Sequence, residues 1–437
     1  MDCPENDARQ RAIAGKAGLN GIVCTLLLAA LMFLGSTTEI LAQAPDTKKT
    51  QPAALGGPNQ VDNQIEDDSG VRKPLLDLYF LAAYFEFKDS LKTRTGFSFG
   101  ADYSAVYLKA SSSPGVDEAS SGMVRVFGSW TLVGRNGTNP GALVYKVEHR
   151  HRYGTIAPSD FGFELGYVGL IEPPFSNAGL LLGNFYWRQG LAGGKITLLG
   201  GWVDPTDYID VYGLVSPWLH FMNFAFSTGS ATIPAPNQGL GLAGAAWLSS
   251  NVYAIAGFSD SNSDPTEPGD GFETFFEDKE YFKHVELGVT TAKDRAYFDN
   301  VHVTYWHADA RDSAGVPDGW GLNASATYYI DNKFLPFLRG GYAKDGGSLL
   351  ERSISAGFGY QRVPRQHLIG LAANWGKPNE STFAPGLDDQ YTLELFLRIQ
   401  LANQLAITPD VQYLINPALN PDQSSIWVFG LRGRLAL

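Results

Sequence analysis

Tyr391-Thr392-Leu393-Glu394-Leu395-Phe396-Leu397-Arg398-Ile399-Gln400-Leu401 decides the fold. Tyr391, Leu393, Leu395, Leu397, Ile399 and Leu401 share one face; Thr392, Glu394, Arg398 and Gln400 share the other, with Phe396 among them. Successive strand side chains point to opposite sides. One side of this strand therefore meets an apolar medium, and the other meets one that tolerates charge at mid-strand. A soluble sandwich also alternates. A transmembrane strand adds aromatic girdles at the ends of its apolar face and a polar face turned to a watery lumen.

The same pattern recurs on either side of this stretch. In 319–330, Trp320, Leu322, Ala324, Ala326, Tyr328 and Ile330 oppose Asn323, Ser325, Thr327 and Tyr329. In 352–361, Ile354, Ala356, Phe358 and Tyr360 oppose Ser353, Ser355, Gly357, Gly359 and Gln361. Trp320, Tyr328, Tyr360 and Tyr391 stand near the ends of the apolar faces, where a girdle would put them. The gaps alternate in length. Ser249-Ser250, Asp331-Asn332, 362–365 and 402–404 are short, whereas 203–238, 260–280, 309–318, 376–389 and 415–424 are long. Short periplasmic turns and long outer loops place both termini on one side and make the strand number even. Dropping the weakest candidate, 161–171, which also reads as part of an outer loop 154–177, leaves about 16 strands. They begin near 97, 123, 142, 178, 195, 239, 251, 281, 298, 319, 333, 352, 366, 390, 405 and 425. The expected fold is an all-β, antiparallel transmembrane barrel over 96–437. Its last strand carries Trp427, Phe429, Leu431, Leu435 and Leu437 on one face. This resembles the C-terminal signature read by barrel-assembly machinery, although a leucine stands where an aromatic usually ends it.

Composition agrees. The 437 residues hold 49 glycines, 13% aromatics and only 18% charged residues. Mean hydropathy is −0.11, as expected when each strand averages a lipid face with a water face. Net charge is −12 with no basic block, which excludes nucleic acid as a partner and mildly favours cations or neutral solutes over anions. At the N-terminus, Arg9, Arg11 and Lys16 precede an apolar run from Ile22 to Gly35, followed by Ala42-Gln43-Ala44. These are the parts of a signal peptide over 1–44, with cleavage after Ala44 or, because Pro45 follows, after Ala42. Both cysteines, Cys3 and Cys24, lie in that segment, so no disulfide or thiolate chemistry is expected beyond it. Residues 45–74, rich in Pro, Gln, Asp and Gly, read as a flexible periplasmic leader. Residues 75–92 read as a short helix at the barrel mouth, completing a leader over 45–95.

Three motifs suggest other chemistry, and each has a plainer reading. Gly96-Phe97-Ser98-Phe99-Gly100 matches a nucleophile elbow, but the sequence after it continues as a strand rather than turning into a helix. Asp260, Asn262 and Asp264 open like a calcium loop, but Pro265 and Gly271 stand where glycine and glutamate are needed. His149 and His151 share a face with Tyr145 and Val147, which suits packing better than a metal site. No cofactor, metal or catalytic residue is expected, and the chain is not read as an enzyme.

A pore acts through width, lining donors and charge. Lys146, Glu148, Arg150 and Arg152 share one face of their strand and must turn inward, because arginine at mid-membrane costs about 2–4 kcal/mol. Asn184, Tyr186 and Arg188 form a second inward set; Asn300, His302, Thr304 and Trp306 a third; Glu394 and Arg398 a fourth. The long loop 203–238, with Asp204, Asp207, Asp210, Trp218, His220 and Asn223, is expected either to fold inward as a constriction or to lie over the rim as a lid.

Several segments resemble the carbohydrate-selective porin family of Gram-negative outer membranes. They include 281–288, Asp299-Asn300-Val301-His302-Val303-Thr304-Tyr305-Trp306-His307, 316–321, 336–342, Leu387-Asp388-Asp389-Gln390-Tyr391, 406–412 and Asn416-Pro417-Ala418-Leu419-Asn420-Pro421. Gly183-Asn184-Phe185-Tyr186-Trp187-Arg188-Gln189 and Val203-Asp204-Pro205-Thr206-Asp207 add to it upstream. The resemblance implies a 16-strand barrel of the outer membrane that passes mono- or oligosaccharides by diffusion. Carbohydrates and membrane lipid are then its partners, and a homo-oligomer stays open. The alternatives are a general or other-solute porin, a barrel enzyme, and a plugged structural barrel.

Overall fold

A strand that needs lipid on one side and water on the other has no stable open sheet, because a free edge in hydrocarbon leaves backbone groups unpaired. Closure removes the edge. The computed structural model describes residues 55–69 and 74–437. Its strands are β1 (Phe97–Ala110), β2 (Glu118–Val133), β3 (Gly141–Arg152), β4 (Gly179–Leu191), β5 (Ile196–Val203), β6 (Gly239–Trp247), β7 (Val252–Asp260) and β8 (Tyr281–Thr290). They continue as β9 (Asn300–Ala308), β10 (Gly319–Thr327), β11 (Phe334–Asp345), β12 (Leu350–Tyr360), β13 (Leu368–Pro378), β14 (Gln390–Gln400), β15 (Leu405–Ile415) and β16 (Ser425–Ala436). Each pairs with its sequence neighbour, and β1 pairs antiparallel with β16, closing the barrel. The expected strand number therefore holds. The candidate at 161–171 is not a strand; a helix, Pro158–Glu164, occupies its first half.

The two faces separate as the alternation requires. Outward residues such as Val285, Leu287, Val289, Val301, Val303, Leu338, Ile354, Phe429 and Leu431 are exposed. Inward residues such as Arg125, Glu286, Thr304, Arg339, Ser355, Thr392 and Gln412 are buried. A soluble protein shows the reverse. Burial here means cover by the contents of the lumen, and exposure means the surface a bilayer would wet. The largest boundary shift is at β2, which starts five residues before the expected 123. The β1–β2 hairpin continues past the apolar band, where Lys109 pairs with Asp117 at 2.8 Å and Tyr107 donates to Glu118 at 2.9 Å.

The expected signal peptide lies outside the described residues. The leader is less irregular than its composition suggests. Residues Val61–Ser69 form helix α1, and Ala82–Thr95 form helix α2, later in the chain than the expected 75–92. α2 stops at Gly96, whose left-handed backbone (φ 74°) donates back to Lys92 and turns the chain into β1. Ser98 of the elbow-like motif is mid-strand and packs inward against the Ser129 hydroxyl at 3.1 Å. His149 and His151 belong to an aromatic cluster with Tyr103 and Tyr153. Asp260 is occupied by Ser263 and by the Asn262 backbone.

Candidate pore constriction

A 35-residue connection joining β5 to β6 has to put its backbone donors somewhere. Most of its residues are buried, including Tyr208, Ile209, Tyr212, Val215, Phe221, Met222 and Phe226. They are buried against the inward faces of strands around the barrel, so the loop lies inside the lumen and is not a lid on the rim. Three anchors hold it.

The first is at its start. Asp207 accepts from Asn184 of β4 at 2.8 Å and lies 3.3 Å from the Lys146 ammonium of β3, which Asp204 also approaches at 3.6 Å. Asp204 further accepts from Gln238 at 2.8 Å, pinning the loop's two ends together. Two carboxylates thus share one ammonium. Burial pushes the Asp207 carboxyl up to about 7, whereas Lys146, Gln238 and Thr206 outweigh the burial of Asp204 and hold it below the usual range.

The second anchor is Asp210, itself in a left-handed conformation (φ 49°). Its backbone N–H donates to Glu286 of β8 at 2.8 Å. Its carboxylate meets His302 of β9 at 2.7 Å, accepts from Gly229 N–H at 2.7 Å and pairs with Arg339 of β11. Arg339 also donates to the carbonyls of Asp210 (2.7 Å) and Ser227 (2.8 Å), with its guanidinium 4.2 Å from the Tyr212 ring. Burial would raise the Asp210 carboxyl, but Arg339 and His302 outweigh it and keep the acid ionised.

The third anchor is the far turn. The N–H groups of Met222 and Asn223 both donate to Glu394 of β14, and the Asn223 side chain donates to Gln412 of β15 at 3.1 Å. The β3–β4 connection joins it there: Ile171 bridges Asn223, and Glu172 N–H donates to Met222 O at 2.7 Å. Glu172 in turn accepts from Arg432 of β16 at 2.6 Å.

Most of the residues expected to line the pore face inward, but much of their bonding capacity is already used. Lys146, Asn184, Asp204, Asp207, Asp210, Asn223 and Glu394 are loop anchors. Glu148 is buried beside Arg150 (2.6 Å), which is only partly covered. Tyr186 packs under the loop with Tyr208, and Arg188 pairs with Asp62 of α1. Two residues need correction. Arg152 sits at the exposed end of β3 and donates to Thr155 O at 2.9 Å, because β3 there runs past its last pair with β4 and is joined to β2 alone. Trp306 is fully buried against Phe282 and the backbone of Gly321 and Gly346, so it packs within the wall and does not face open lumen.

Trp218, itself buried, and Arg398 border a small gap. A narrow cleft of about 20 Å³, room for one water, separates Trp218 from the inner faces of β14–β16, lined by Arg398, Gln400, Arg432, Arg434 and, from α1, Asp67. The Trp218 ring also lies 4.6 Å from the Arg125 guanidinium, which Asp102 holds in place (Nε to carboxylate 2.9 Å). Sequence reading missed Arg125, Arg339, Arg432 and Arg434. The signal is there in part: Arg432 and Arg434 alternate with Leu431 and Leu435, which share the apolar face of the last strand.

Comparison with known proteins bears out the resemblance over the C-terminal part. Residues 311–437 match the model described as carbohydrate-selective porin, OprB family. A curated relative, Porin AaxA of Chlamydia felis, is 30% identical over 123 residues, and the alignment spans 27% of this chain and 27% of that protein. Among solved structures, the high-pH structure of Pseudomonas putida OprB aligns with a TM-score of 0.64 at 14% identity, covering 81% of this chain and 97% of that one. An engineered Rh. blastica porin aligns with a TM-score of 0.50 at 12% identity, covering 78% and 100%. The chain has the porin fold.

Proposed function

We propose that this chain is an outer-membrane porin that lets mono- and oligosaccharides diffuse passively, without catalysis, through a constriction formed by the loop between β5 and β6. The observation that carries this is the closed 16-strand barrel with a loop anchored inside its lumen, where Trp218 stands near Arg398 and Gln400. A sugar offers an apolar C–H face and a ring of hydroxyls. A flat indole suits the first. Fixed guanidinium and amide groups, at Arg398 and Gln400, suit the second. The loop's polar anchors to the wall are satisfied as it stands, so it acts as a fixed constriction. The match of residues 311–437 to a carbohydrate-selective family supports the same solute class.

The test is single-channel conductance of the refolded protein in planar bilayers, titrated with glucose and maltodextrins. Current that falls saturably with sugar is expected. Current indifferent to both sugars would reduce the reading to a general porin. No current from protein shown to be folded would remove the pore altogether.

A further inference from the structure

The periplasmic end of the lumen is not empty. We propose that residues 55–69 are a tethered plug, held across that mouth by carboxylate–guanidinium contacts, which must be displaced for full conductance. This rests on the porin reading above.

Several independent observations converge on it. α1 and the turn before it bury Leu55, Val61 and Ile65 against the inward residues Val144, Tyr186 and Leu199 and against Tyr208 and Ile209 of the constriction loop. Contact is close enough that a Cβ on Gly57 would lie 3.0 Å from the Asp207 carbonyl. The helix carries Asp62, Glu66, Asp67 and Asp68 within seven residues. Asp62 pairs with Arg188 of β4 and accepts from Ser129 of β2 at 2.5 Å. Asp68 receives both terminal nitrogens of Arg434 of β16, at 2.7 and 2.8 Å. Glu66 and Asp67 approach Arg365, in the β12–β13 turn, at 3.9 and 3.7 Å. Arg188 on β4 and the turn after β12 lie half a circuit apart in a ring of 16 strands. A segment that touches both therefore spans the mouth. Asp67 also lines the cleft beside Trp218, so the plug stands directly in the way out of the constriction.

The contacts suit a latch more than a permanent wall. Its apolar contribution is three side chains, and the ion pairs are partly open: Asp62 keeps 39% and Arg188 19% of its side-chain surface. Such pairs are screened by salt, with a Debye length of about 10 Å at 0.1 M and about 3 Å at 1 M. An acidic helix on luminal arginines also occupies the sites an anionic solute would seek.

The experiment compares three proteins in planar bilayers: the full chain, the chain lacking 55–69, and the double variant Asp62→Asn with Asp68→Asn. The double variant keeps the helix and covers the case in which the deletion fails to insert. Conductance of the full chain is expected to rise more steeply than bulk conductivity between about 0.1 and 1 M salt as the latch is screened. Both variants are expected to conduct severalfold more at low salt and to track bulk conductivity. Equal conductance and equal salt dependence in all three, with sugar block retained, would overturn the plug and leave the porin standing. Absence of current in all three would instead remove the porin reading on which it rests.

Discussion

Asp210→Ala is the sharpest test of the constriction. The carboxylate and Arg339 are each about 2% exposed and form one buried pair, to which His302 and Gly229 N–H also contribute. Removing one partner of a buried pair costs about 3–5 kcal/mol, because the other charge stays desolvated and uncompensated. Arg339 retains the carbonyls of Asp210 and Ser227, which puts the expected loss near the lower bound. At 1.4 kcal/mol per decade, about 3 kcal/mol shifts the docked-to-undocked ratio of the middle of the loop roughly a hundredfold. The barrel wall keeps its own ladder hydrogen bonds, and the Asp207 and Asn223 anchors hold the loop on either side of Asp210. The effect should therefore be local: mean conductance rises, open-channel noise increases, and the unfolding midpoint of the barrel hardly moves. Arg339→Ala should act in the same direction. The double variant should change conductance by less than the sum of the two, as contacting residues do. If Asp210→Ala has wild-type conductance and noise, the loop is not held by this pair and the constriction argument fails.

Three further outcomes follow from the same geometry. Trp218→Ala removes the indole from the cleft while Asp102 still fixes Arg125, so the sugar concentration that halves the current should rise roughly fivefold, the equivalent of about 1 kcal/mol of aromatic contact; an unchanged half-blocking concentration would detach Trp218 from the sugar path. Trp306→Ala leaves a void between Phe282 and β10, so urea unfolding in vesicles should show a loss of about 3–5 kcal/mol with sugar block intact, and the reverse pattern would return Trp306 to the lumen. Burial pushes Glu172 from 4.5 up to about 8 against the pull of Arg432. Below about pH 8 the acid is neutral and the lumen loses one negative charge beside Arg432, so reversal potentials in a KCl gradient should move toward anions as pH falls from 9 to 6, and a flat profile refutes this assignment. By linkage, an acid whose folded pKa is raised keeps its proton longer when folded, so its contribution to stability falls as pH rises between 4.5 and about 8.

The barrel was legible because lipid imposes a period of two on every strand that crosses it, and sixteen strands repeat the message. Register and closure follow from that pattern with the short turns, as the start positions from β3 to β16 show. The leader was not legible. Its composition is that of a solvated linker, and α1 is ordered by what it touches: the underside of a loop and three arginines at distant positions in the sequence. Nothing local distinguishes Asp62 or Asp68 from acids on a free surface.

Phe396 was the most informative residue that periodicity could not explain. It stands on the polar face of β14 between Glu394 and Arg398, and a watery lumen gives no reason for it. The structure supplies one: Phe396 is fully buried against Phe221, with ring centroids 4.8 Å apart, at the point where the loop crosses the lumen. Leu335 and Phe337 of β11 and Leu368 of β13 are likewise inward, apolar and covered, by Tyr212, Leu214 and Phe226 of the same loop. An inward apolar residue in a pore pays a hydration penalty unless something lies on it. Such exceptions to the alternation therefore mark where the lumen is filled, just as inward polar residues with no loop partner mark where it is open. On that criterion β11, β13 and β14 carry the apolar seat of the loop. Leu414 of β15 and Ile426 and Val428 of β16 form a second such seat, packed with Trp218 and Met222 of the loop.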